Sequence, residues 1–194
     1  MGKKTERIEK KLNKIEKDLK EAKQQLQSLK KNEQTSSDKS TLSVIPYFSY
    51  TIKIPKHNED HTVHIFGSFI IKNIGSASLK KPYICIKFSD ITKVSLAAKI
   101  SSEDHIDQEF SPVPTQTWNF ISKDLEKRVE SDGEYWLTPI NVGDIPPQKN
   151  LSFANFHAWL DCSEFEGTLK MEGYVYGEGA ESGIPSLNKI NVSL

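Results

Sequence analysis

Two hydrophobic periods divide the chain. Ile8, Leu12, Ile15, Leu19, Ala22, Leu26 and Leu29 recur at alternating spacings of four and three residues. That is the seam of a coiled coil, with Leu12, Leu19 and Leu26 at a and the others at d. The pattern predicts an oligomerisation helix over residues 1–31. Residues 31–41, KNEQTSSDKST, hold no apolar side chain and end the heptads, so 32–41 reads as a linker. From residue 43 the period falls to 2. Strands are predicted over 44–54, 63–74, 83–88, 92–100, 135–140, 151–160, 168–176 and 189–194. Along 151–160, Leu151, Phe153, Asn155, His157 and Trp159 share one parity, and Ala154, Phe156, Ala158 and Leu160 the other. A short helix is expected over 122–130, with Phe120, Leu125 and Val129 on its packed side. The fold class is thus an N-terminal parallel coiled-coil helix, followed over 42–194 by an all-β antiparallel sandwich with a helical insertion.

Charge refines the helix. In a parallel pairing Lys4 faces Glu9, Lys11 faces Glu16 and Asp18 faces Lys23 across the seam, all opposite in sign. Leucine at a with isoleucine at d leans away from a dimer, so a parallel trimer is expected, with dimer and tetramer as alternatives. The chain is neutral overall, but residues 1–40 carry 12 basic and 7 acidic groups. Those lysines alternate with glutamates, unlike an arginine-dense DNA-reading segment, so no nucleic-acid partner is expected. No leader and no membrane-spanning stretch is recognisable. A cytoplasmic protein is expected, or one carried in a particle or released without a visible signal. Two distant cysteines, Cys85 and Cys162, do not make a disulfide framework.

Residues 69–88, FIIKNIGSASLKKPYICIKF, hold a strand ending at Asn73-Ile74-Gly75, the small run Ser76 to Ser78, and a second strand entered after Pro82. Residues 145–153 place Pro146 and Pro147 before a late strand. These pieces resemble the immunoglobulin-like bacterial domains that include the cell-adhesion-related CARDB modules. Pro147, where a glycine often follows the proline, and the long 101–133 stretch depart from that pattern. The resemblance implies an immunoglobulin-like sandwich and an adhesion, spacer or assembly role in a bacterial or prophage-related setting.

Chemistry is sparse. His57, His61 and His64 flank Glu59 and Asp60, ligand types for zinc, but the segment reads as a solvated turn. Glu103, Asp104, Asp107 and Glu109 are hard-oxygen donors without the spacing of an EF-hand. His157 with Asp161, Glu164 and Glu166 supplies acid–base groups, yet no G-x-S-x-G, Walker or H-E-x-x-H motif accompanies them. No catalytic residue, metal or cofactor is assigned. Tyr47, Phe48, Tyr50, Trp118, Phe120, Tyr135, Trp136, Trp159, Tyr174 and Tyr176 exceed what one thin core needs. Trp118 and Trp136 are candidate binding platforms, and Glu178 and Glu181 mark a candidate contact loop over 177–183. A non-catalytic structural or binding module displayed multivalently is therefore expected, with a protein or glycan partner. A lectin-like module and a carboxylate-dependent hydrolase are the alternatives.

Overall fold

The computed structural model describes residues 14, 17, 19, 20, 22–25, 40–55, 61–89, 94–101, 116–163 and 167–193. The chain divides into two units at Ser40/Thr41. In the first unit, residues 14, 17, 19, 20 and 22–25 are helical and exposed. Of the expected seam only Leu19 and Ala22 are among them, and Leu19 is 55% exposed. Ile8, Leu12, Ile15, Leu26 and Leu29 lie outside the described residues. The coiled coil is therefore corrected: among the described residues no packed seam forms. A heptad stripe gives one helix an apolar face, but burying that face requires other helices.

The second unit consists of two open β-sheets over one core. Its strands are β1 (Val44–Lys53), β2 (Thr62–Asn73), β3 (Leu79–Phe88), β4 (Val94–Ala97), β5 (Ile100–Ser101) and β6 (Trp118–Phe120). Helix α1 (Lys123–Asp132) follows. Then come β7 (Glu134–Pro139), β8 (Asp144–Ile145), β9 (Asn150–Asp161), β10 (Thr168–Glu178), β11 (Ile184–Pro185) and β12 (Ile190–Ser193). The smaller sheet runs β1-β2-β9-β4. The larger runs β11-β10-β3-β7-β6-β5, with β12 also on β10 and β8 on β3. β5 and β6 pair in parallel, so the larger sheet is mixed. This corrects the immunoglobulin-like, all-antiparallel sandwich and with it the resemblance to CARDB modules. Neither sheet closes, and β5 adds a parallel pairing to β6 at an edge where the alternation predicts antiparallel strands.

Alternation explains most of the layering. Val63, Ile65, Phe69 and Ile71 of β2 meet Ile84, Ile86 and Phe88 of β3 and Leu169, Met171 and Val175 of β10 in one buried cluster. The sheets approach closely at Gly173, where an added Cβ would lie 2.5 Å from Phe69 and 2.8 Å from Phe48. Trp118 is fully buried and meets Phe153 edge-on at 5.7 Å.

The parity of β9 is not continuous. Its register against β2 shifts between Gly67 and Phe69, and Asn155 takes a left-handed φ of 57°. Leu151 and Phe153 point inward before this bulge, and Phe156, Ala158 and Leu160 point inward after it. His157 and Trp159 consequently face outward, as bulges re-aim side chains.

Asn73 is the buried polar side chain of this core. Its Nδ2 donates to the carbonyls of Ala77 at 2.7 Å and Ile145 at 2.8 Å. Its Oδ1 accepts from the Gly75 N–H at 3.0 Å. The Asn-Ile-Gly turn is thereby tied to β8, where a buried amide must find its partners inside the protein.

Candidate binding cleft

The outward face of the larger sheet carries the candidate site. Tyr83, Cys85 and Lys87 of β3 alternate with core residues, as do Glu134, Trp136 and Thr138 of β7 and Glu172, Tyr174 and Tyr176 of β10. Register places Cys85 opposite both Trp136 and Tyr174, and Tyr83 opposite Tyr176. The rings close over the small Cys85 side chain. Tyr83 and Tyr176 stack at 5.0 Å and 7°, and Trp136 lies 5.2 Å from Tyr176. Burial pushes the Cys85 thiol up to about 12, with the Glu134 charge adding to it, so it is not a nucleophile at neutral pH.

Helix α1 forms the neighbouring wall. Ser122 caps it, its Oγ accepting from the Leu125 N–H at 3.3 Å. Gly133 ends it at φ 68°, where a Cβ would meet the Phe88 carbonyl oxygen at 2.8 Å. Only glycine fits comfortably, and the chain reverses directly into β7. Leu125 and Val129 are half-buried while the rest of the helix is exposed.

Between α1 and the sheet lies a cleft of about 770 Å³. Pro82, Tyr83 and Trp136 line it from the sheet, Ile121 and Leu125 from the helix side, and Val142 and Gly143 from the β7–β8 turn. Its polar lining is Lys81, Arg128 and Thr138. The neighbouring carboxylates are engaged. Glu134 accepts from Lys87 Nζ and from Trp136 Nε1, each at 2.8 Å. Burial pushes its carboxyl up, but these two hydrogen bonds and the Lys87 and Arg128 charges outweigh that and hold it below the usual range. Glu178 pairs with Lys81 at 2.7 Å. Arg128 lies 3.9 Å from Glu134 and 4.0 Å from Asp132, too far for hydrogen bonds.

The structure separates the residues singled out in the sequence. Trp136 lies in the cleft, whereas Trp118 is core. The 177–183 loop folds back on Tyr176: a Cβ on Gly183 would lie 2.5 Å from its ring. Glu178 is tied to Lys81, and Glu181 accepts from the Gly179 N–H at 2.8 Å. Both acids thus shape the loop beside the cleft. His64 and His157 contact each other, His61 is exposed, and Asp161 accepts from Ser163. His57, the 103–109 acids, Glu164 and Glu166 lie outside the described residues. Tyr83 and Arg128 were not singled out; a lone tyrosine before an apolar strand and one arginine on a charged helix give no signal until topology joins them.

Among the described residues no group of three or more His, Cys, Asp or Glu is placed to hold a metal ion. No helix among them is long and apolar enough to cross a membrane. No protein-family model and no curated protein matches the chain.

Proposed function

We propose that the β-rich unit is a non-catalytic binding module whose cleft receives apolar side chains of a partner polypeptide. The cleft between α1 and the Trp136–Tyr83 floor carries this reading. Its size suits a few side chains, and tryptophan, tyrosine and arginine are the residues that dominate interface energetics. The reading is tested by panning a random peptide library against the whole chain. Enriched peptides should share spaced apolar anchors. Trp136→Ala should weaken them by about 2 kcal/mol, roughly thirty-fold, and Thr138→Arg should block the cleft. Enrichment indifferent to both substitutions refutes the cleft as the binding surface.

A glycan ligand is the second reading, favoured by Trp136 alone. Sugars need converging donors and acceptors around such a ring, and here the polar lining is two cations and one threonine. A glycan array that lights up and goes dark with Trp136→Ala would reverse the preference. The hydrolase alternative has less support, because His157 contacts His64 and Asp161 is engaged by Ser163. Self-association has no packed seam behind it among the described residues; sedimentation equilibrium of the whole chain measures it directly.

A further inference from the structure

The outer face of the smaller sheet holds a feature that the cleft does not use. His64 Nδ1 and His157 Nε2 lie 3.0 Å apart. The two residues are diagonal neighbours: His64 pairs with Trp159 and Phe66 with His157. Phe66 stacks on His157 at 4.4 Å and 11°, and Trp159 lies 5.0 Å from the same ring. The imidazoles therefore stand on two hydrogen-bonded strands with their rings oriented by aromatic neighbours, the kind of rigid support a binding site needs.

We propose that His64 and His157 form a two-imidazole site for a divalent ion of tetragonal preference, copper(II) above all. The spacing is compatible with a shared ion. Metal–nitrogen bonds of about 2.0 Å put two ligands about 2.8 Å apart at right angles and about 3.3 Å apart at the tetrahedral angle. The hydrogen-bonded separation falls within that span, and copper(II) stands at the top of the affinity order for imidazole sites. In the metal-free pair one facing nitrogen carries the shared proton. On binding, that imidazole moves its proton to its other ring nitrogen through solvent, the two facing nitrogens ligate, and both rings remain neutral. Because the two nitrogens face each other along a hydrogen bond, each ring turns to bring its lone pair onto the ion. With no cluster of three protein ligands among the described residues, the remaining equatorial positions go to water or to an external donor. This is an exchangeable ion site, unlike a closed structural one.

The test is calorimetric titration of the full chain with copper(II) chloride in a non-coordinating buffer, paired with electron paramagnetic resonance. The unmutated chain should bind one ion with two equatorial nitrogens in its spectrum. His64→Gln and His157→Gln should each weaken binding at least ten-fold, while His61→Gln, an exposed neighbour, leaves it unchanged. Copper(II) should bind more tightly than zinc(II). Binding that survives both substitutions, binding lost with His61 instead, or a spectrum with fewer than two nitrogens overturns the proposal. Circular dichroism of the metal-free variants checks their fold. The spectrum of the unmutated chain decides the matter should either variant unfold.

Discussion

Replacing Asn73 with alanine removes three hydrogen bonds at one point of the core. Two are donated by Nδ2, to Ala77 and Ile145, and one is accepted by Oδ1 from Gly75. The side chain is fully buried. Each bond contributes about 1 kcal/mol net, and a carbonyl left without its partner in the interior costs about 1–3 kcal/mol more. The expected loss is roughly 3–5 kcal/mol, a large share of the roughly 5–15 kcal/mol that holds an ordinary domain together. Urea unfolding followed by the emission of buried Trp118 measures it. Asn188 provides an internal comparison: it makes two hydrogen bonds, both to the backbone of Phe48, from a part-buried position. Asn188→Ala should cost about half as much. Asn73→Asp sharpens the test further. The new carboxylate would face two carbonyl oxygens, so its folded-state pKa is raised above the unfolded value. Its stability should therefore be greatest at low pH and decline as pH rises through that folded value. A cost below 1 kcal/mol for Asn73→Ala, or an Asn73→Asp chain as stable as the parent at neutral pH, would refute the reasoning.

Three further outcomes follow from the same packing. Gly173→Ala would press a methyl group onto Phe69 and Phe48 where the sheets meet; a destabilisation of about 1–3 kcal/mol is expected by chemical denaturation. The Cys85 thiol, buried with its pKa pushed up to about 12, should react with a thiol reagent at pH 8 only as the chain unfolds, read as modification kinetics by mass spectrometry. His157 titrates below the ordinary imidazole value of 6.5 because of burial and then His64. The unfolded chain therefore takes up the proton first, and thermal stability should be level above pH 6.5, fall as pH drops below it, and lose that dependence in His157→Gln.

The sequence exposes period-2 alternation well, because a residue that misses the core face is penalised at once. Thus 63–74, 83–88, 135–140 and 168–176 are legible as strands to within a residue or two, and 122–130 as a helix, which the structure caps with Ser122 and ends at Gly133. β6, three residues long, offers too few positions for alternation to register, and its parallel pairing with β5 joins residues 18 apart. That pairing makes the larger sheet mixed, and Trp118 on β6 packs into the core against Phe153. The heptads misled for a different reason. A stripe on a helix records what the helix could cover, whereas coverage is a property of a second surface that one chain does not carry.

Asn155 shows how one backbone dihedral decides which chemistry a face presents. Had β9 kept a single parity, Phe153 and His157 would share a side, putting the His157 imidazole in the core or Phe153 in solvent. Burying a protonatable ring without partners costs several kcal/mol, and exposing a phenylalanine forfeits about 2–3 kcal/mol of burial. The bulge at Asn155 avoids both losses. It is held by the Asn155 N–H donating to Ser68 Oγ at 3.3 Å, and the left-handed φ of 57° suits asparagine better than most residues. The His64–His157 contact, and the ion site built on it, therefore depends on a register shift whose sequence trace is a single asparagine within an apolar run. The cleft depends equally on Gly133, which turns α1 back beside β7. In both places the proposed binding face follows from a break in the regular pattern rather than from the pattern itself, as expected where a scaffold yields local regularity to position a site.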